Sequence, residues 1–142
     1  IERIILNLLS NAVKFTNPGG KITVKVAKKF NKVIIKVKDT GIGIPKNMQA
    51  AIFERYRQVK NGLTAEIEGS GIGLSIVKSF VALHNGVIKV RSKENKGSEF
   101  IISLPIQLCE ENQWHDPNGQ NSQSRIIEAI NIEFSDIYSM TP

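Results

Sequence analysis

The stretch Asp39-Thr40-Gly41-Ile42-Gly43-Ile44-Pro45 decides how this chain is read. Val33, Ile35 and Val37 alternate with their neighbours just before it, so the segment sits at the end of a half-buried strand. Two glycines let the backbone pass close to a flat ligand. A carboxylate at a strand end accepts a hydrogen bond from an exocyclic amine such as adenine N6. Guanine carries a carbonyl there, so the same Asp39 disfavours GTP. The other reading is a β-turn in which Asp39 caps its own backbone, and this stretch alone leaves both open.

Upstream, Ile22, Val24 and Val26 alternate with Thr and Lys, which predicts a second strand and a hairpin joined around Asn31. Before it, Ile1, Ile4, Ile5, Leu8, Leu9 and Ala12 recur at helical spacing, and Asn17-Pro18-Gly19-Gly20 ends that amphipathic helix. Asn7, Asn11 and Lys14 share one stripe beside its apolar face. Two amides and an ammonium in line suit a hydrated cation and phosphates, because amide oxygens are hard ligands for Mg²⁺. A solvated polar edge would look the same.

Downstream, residues 46 to 56 read as a short helix and 57 to 70 as a mobile loop. Gly69-Ser70-Gly71-Ile72-Gly73-Leu74 then opens a helix carrying Ile76, Val77, Phe80 and Val81, which stops at Asn85-Gly86. Glycines at a helix start expose N–H groups to phosphate. A dinucleotide-binding fingerprint needs a strand directly before it, and here a loop precedes. Val87 to Arg91 and Glu99 to Leu104 read as two more strands around a turn at Asn95 to Gly97.

The chain has 142 residues, 41% hydrophobic and 23% charged, which fits one folded domain. The single Cys109 excludes an internal disulfide and a cysteine zinc site, and fits a reducing compartment. No apolar run exceeds four residues, so no membrane span is predicted. Residues 1 to 108 hold 18 Lys/Arg against 7 Asp/Glu, whereas 109 to 142 hold 1 against 6. Such a basic domain fits a polyanionic or phosphate-bearing ligand, or simply a solvated lysine surface.

Taken together, these motifs resemble the catalytic ATP-binding domain of sensor histidine kinases, in the superfamily shared with Hsp90, DNA gyrase B and MutL. Asn7 to Thr16 resembles the N box, Asp39 to Pro45 the G1 box, Ile52 to Val59 the F box and Gly69 to Leu74 the G2 box. Gly97-Ser98-Glu99-Phe100 resembles the motif before the last strand. The resemblance implies a two-layer α/β sandwich of the Bergerat type, a mixed sheet with helices on one face and a mobile ATP lid.

It also implies roles. Asn11 would hold Mg²⁺ with Asn7 in support, Lys14 would meet phosphate and Phe15 would line the pocket. Asp39 would read adenine N6, with Gly41, Gly43 and Ile44 beside it. Ser70, Gly71, Ile72, Gly73 and Leu74 would contact phosphates, and Ser98 would sit near the adenine. Residues 54 to 70 would form the lid on a Phe53 anchor, with either Arg57 or Gln58 reaching phosphate. Gyrase-type relatives carry a Glu where Asn7 stands. Asn7 is no general base, which favours phosphoryl transfer to protein over hydrolysis.

Neither His84 nor His115 has the family's acceptor surroundings, so the acceptor histidine is expected on a separate dimerisation domain of the parent protein. A response regulator is expected downstream, and a cytoplasmic location. The chain starts inside a helical pattern without an initiator Met, so it reads as a fragment lacking the strand and helix start that precede the N box. The expected units are a domain over 1–108, a polar linker over 109–125 and a tail over 126–142. In that tail, alternating Ile130, Ile132 and Phe134 predict an added strand or docking segment. Two rival readings come from the same superfamily: an anti-sigma-factor-type serine kinase and a non-catalytic ATP sensor. A nucleic-acid-binding domain is disfavoured by 6% aromatics and no stacking cluster.

Overall fold

A computed structural model describes residues 1–55, 71–107, 124, 127–132 and 134. Helix α1 (Glu2–Phe15) leads into the hairpin β1 (Ile22–Lys29) and β2 (Lys32–Asp39). A single 3-10 turn follows at Ala51–Phe53, then helix α2 (Gly73–Leu83) and the hairpin β3 (Val87–Ser92) and β4 (Ser98–Pro105). The expected short helix over 46 to 56 is thus only that turn. It is preceded by tight turns such as Met48 N–H to the Pro45 carbonyl at 2.9 Å. The expected loop over 57 to 70 lies wholly outside the described residues.

The four strands are ordered β1-β2-β4-β3 and every described pairing is antiparallel. The two-layer α/β sandwich stands, but its sheet is not mixed among the described residues. The reason is an insertion. Strands β2 and β3, linked through α2, do run in the same direction, but β4 lies between them and is antiparallel to both.

The register sorts the side chains. Val26, Ile35, Ile102 and Ile88 form one row on the helix side, and Val24, Val37, Phe100 and Val90 the next. Strand β4 alternates strictly, burying Ser98, Phe100, Ile102 and Leu104. Against this face pack Ile4, Leu8 and Ala12 of α1 and Val77 and Val81 of α2. These apolar contacts hold the two helix ends carrying the candidate site in fixed relation to the strand ends. The opposite face carries Lys25, Lys36, Lys38, Lys89 and Arg91, so much of the basic excess sits away from the helices, at exposed or half-buried positions.

Each turn has a local cause. Helix α1 places Glu2 in its first turn and Lys14 in its last, matching the helix dipole. Thr16 Oγ1 donates to the Ala12 carbonyl at 2.6 Å, satisfying an acceptor of the final turn. Helix α2 ends as Asn85 turns to φ 53° and Gly86 N–H reaches the Val81 carbonyl at 2.9 Å.

The C-terminal segment departs from expectation. Residues 124, 127–132 and 134 are helical, which overturns the added strand. Ile130, Ile132 and Phe134 fit a period of two, but Ile127, Ile130 and Phe134 fit the helical period equally well. A window this short satisfies both.

Candidate functional site

Asp39 ends β2 and is 5% exposed. Its Oδ1 accepts the backbone N–H of Gly41 at 2.9 Å and that of Ser98 at 3.1 Å. The first bond is the local turn that the sequence allowed; the second comes from the start of β4. Burial pushes the Asp39 carboxyl above the usual carboxylate range. The N–H groups of Gly41, Ser98 and Asp39 itself oppose that by favouring the charged form.

The loop after Asp39 is pressed between two other elements. Ile42 donates its N–H to the Phe15 carbonyl at 3.1 Å, which ties the loop to the end of α1. A Cβ on Gly41 would strike that same carbonyl. Gly43 has φ +72°, and a Cβ there would strike the Lys93 carbonyl. Asn95 N–H closes the contact by donating to the Ile42 carbonyl at 2.7 Å. Neither glycine leaves room for a Cβ between α1 and the β3–β4 turn, and Gly43 adds a left-handed backbone.

The second half of the site is the junction of the two helices. Asn11 Nδ2 donates to Asn7 Oδ1 at 3.3 Å along one face of α1. Gly73, the first residue of α2, faces the Asn7 amide so closely that a Cβ would lie 2.6 Å from Nδ2. The N-terminus of α2 therefore opens beside the Asn7–Asn11 pair. Its N-cap residue, Ile72, makes no side-chain cap bond to the first-turn N–H groups.

The structure thus brings together Asn7, Asn11, Gly73, Phe15 and the Asp39 loop. Lys14 is half-buried on α1, and Gly71, Ile72 and Leu74 flank Gly73. Ile44 donates its N–H to Ser92 Oγ at 2.7 Å. Phe53 stands edge-on to Phe100 with centroids 6.4 Å apart, and Lys78 Nζ lies 6.0 Å from its ring. That packing suits an anchor for the segment that follows it. Arg57, Gln58 and Ser70 lie outside the described residues.

Among the described residues no group of three or more His, Cys, Asp or Glu could hold a metal. A cation here would draw few ligands from protein and most from phosphate and water, which is the habit of Mg²⁺. The amide oxygens of Asn7 and Asn11 fit that chemistry. Two residues escaped the sequence reading. Ser92 and Gln49 brace the Asp39 loop from behind, and neither carries a motif or period that would single it out.

Fold and site together define an α/β ATP-binding domain. Residues 1–108 match the family described as histidine kinase-, DNA gyrase B- and HSP90-like ATPase, and the chain belongs to that family. It is 40% identical over 107 residues to the circadian input-output histidine kinase CikA of Synechococcus elongatus, covering 75% of this chain and 14% of the relative. It is 43% identical over 138 residues to the autoinducer 2 sensor kinase/phosphatase LuxQ of Vibrio vulnificus, covering 93% of this chain and 16% of the relative. The chain therefore spans only a small part of the curated relatives it matches. Among solved structures, a mycobacterial sensor histidine kinase, MprB, aligns with TM-score 0.64 and 32% identity over 72% of this chain and 68% of that one. Full-length ShkA in complex with AMPPNP aligns with TM-score 0.65 and 29% identity over 83% of this chain and 24% of that one. Among the described residues no helix is long and apolar enough to cross a membrane.

Proposed function

We propose that this chain binds Mg-ATP and presents the γ-phosphate to a histidine on a separate dimerisation domain of its parent protein, with a response regulator receiving the phosphoryl group afterwards. The observation that carries this reading is Asp39, a buried carboxylate whose Oδ1 is occupied by two backbone N–H groups. Its Oδ2 is then the oxygen that accepts the adenine amine. The neighbour solved with AMPPNP supports the same ligand class. ATP as ligand also places the site in the cytoplasm.

Residues divide the work by position. Asp39 reads the base, while Gly41 and Gly43 leave room for it. The first-turn N–H groups of α2 and the Lys14 ammonium meet phosphate oxygens. Asn11, oriented through its bond to Asn7, holds the cation, which neutralises phosphate charge. Arg57 or Gln58 and Ser70 complete the phosphate end. Nothing in this set is a covalent nucleophile, so catalysis is positioning and electrostatics.

Calorimetric titration tests the reading. Mg-ATP should bind the wild-type chain and fail to bind Asp39→Asn, and Mg-GTP should bind neither. Equal affinity of both variants for Mg-ATP would sink it.

A further inference from the structure

Gln49 lies outside every motif of the nucleotide site, yet its amide nitrogen makes two hydrogen bonds. Nε2 donates to the Ile44 carbonyl at 3.0 Å and to the Ser92 carbonyl at 3.0 Å. An amide NH₂ has two hydrogens, and both are used. The bonds continue inward. Ile44 N–H donates to Ser92 Oγ at 2.7 Å, and Ser92 Oγ reaches the Gly97 carbonyl at 2.9 Å and Ser98 Oγ at 3.0 Å. Ser98 N–H then donates to Asp39 Oδ1 at 3.1 Å.

The proton count allows one consistent set of directions. A serine hydroxyl has one hydrogen and two lone pairs. With its hydrogen on the Gly97 carbonyl, Ser92 accepts from Ile44 N–H and from the Ser98 hydroxyl. Among the described residues no buried side-chain polar atom is left without a partner.

We propose that Gln49 is a positioning residue for the nucleotide base. It clamps the Gly41–Ile44 loop against the end of β3 and, through Ser92 and Ser98, fixes the direction of the Asp39 carboxylate. It also sits two residues before the 3-10 turn that carries Phe53. Leucine at this position would keep the bulk and remove both donors. Glutamate would aim a carboxylate at two carbonyls. The proposal rests on the ATP reading above.

The test is calorimetry of Mg-ATP and Mg-ADP on the wild-type chain, Gln49→Leu, Ser92→Ala and the double variant, each with a melting curve. Gln49→Leu should weaken both nucleotides by the same factor, about tenfold, because the defect lies at the base and not at the phosphates. Its melting temperature should stay within a few degrees of wild type. The double variant should lose little more than the stronger single, since one strut is cut twice. Wild-type affinity in Gln49→Leu, or a loss confined to Mg-ATP, overturns the proposal. Should Gln49→Leu not fold, Ser92→Ala decides: unchanged affinity there overturns it equally. Failure of the wild type to bind either nucleotide is a different result, because it removes the ATP reading itself and this proposal with it.

Discussion

Ser98 donates its backbone N–H to Asp39 Oδ1 at 3.1 Å across 59 positions of sequence. The bond joins the last residue of β2 to the first of β4, so the central strand pairing itself sets the direction of the Asp39 carboxylate. A ligand that meets Asp39 meets a group already oriented by the sheet, and little side-chain entropy remains to be lost on binding.

Asp39 also carries a stability cost, with a definite sign. Its carboxyl titrates above the ordinary value in the folded chain because burial disfavours the charge. The folded state therefore holds this proton more tightly than the unfolded state. The contribution of Asp39 to stability is greatest below the unfolded value and is lost as pH rises through the raised folded value. At pH 7 the buried charge is a liability. Asp39→Asn should melt no lower than wild type at pH 7 while losing Mg-ATP binding, and wild type should lose its relative disadvantage below about pH 4. Thermal scans of both variants across pH 3.5 to 7 check this. A variant much less stable than wild type at pH 7 would contradict it.

Two glycines of the site should answer substitution in opposite ways. Gly43→Ala forces a Cβ onto the Lys93 carbonyl at φ +72°, so backbone must move. It should cost about 1–3 kcal/mol or more and disorder the base pocket. Gly73→Ala meets only the Asn7 amide, at 2.6 Å, and a side chain can turn away. Alanine also favours the helix by up to about 1 kcal/mol. Gly73→Ala should therefore keep or raise the melting temperature while weakening Mg-ATP by displacing Asn7. Denaturation curves and titrations on the two variants separate these outcomes.

How much of this was legible beforehand follows from range. The elements came from local periods and turn residues, and α1, α2 and both hairpins lie where Ile4–Leu8, Asn85-Gly86 and the alternating valines put them. The Gly41 bond to Asp39 is two residues long and belonged to the reading. The Ser98 bond is not local, and no sequence period encodes it. Gln49 sits in a polar stretch with no pattern at all; its role exists only because Ile44 and Ser92 converge there. The antiparallel sheet was missed because inserting β4 between two co-directional strands is a topological choice. The tail was misread because eight residues cannot distinguish the two periods.

Ile102 is 0% exposed and lies in register between Ile35 and Ile88 at the centre of the sheet. Ile102→Ala leaves a cavity that two flanking strands cannot collapse into. It should cost about 2–5 kcal/mol, a large share of a stability of about 5–15 kcal/mol. Urea denaturation should show a lower midpoint with an unchanged slope. Mg-ATP affinity, measured where the variant remains folded, should change little, since Ile102 sits in the middle of β4, four residues beyond Ser98.

The last prediction concerns transfer. His84 follows α2 at its C-terminal end, and its Nδ1 lies 2.8 Å from the Phe80 carbonyl. The proposed phosphate position is at the other end of the same helix, at Gly73. Eleven residues at about 1.5 Å each separate the two ends by about 16 Å, whereas in-line attack needs the reacting atoms about 3–3.5 Å apart. His84 serves as the C-cap of α2, and the proposed phosphate position predicts that it takes up no phosphoryl group. Incubated with γ-³²P-ATP, the chain alone should take up no label, and His84→Ala should change nothing. Adding a histidine-bearing dimerisation domain from one of the related sensor kinases should give label on that domain and none on this chain. Acid-labile label on the chain alone would show that a nucleophile within these 142 residues reaches the γ-phosphate, and the division between nucleotide domain and acceptor domain would have to be abandoned.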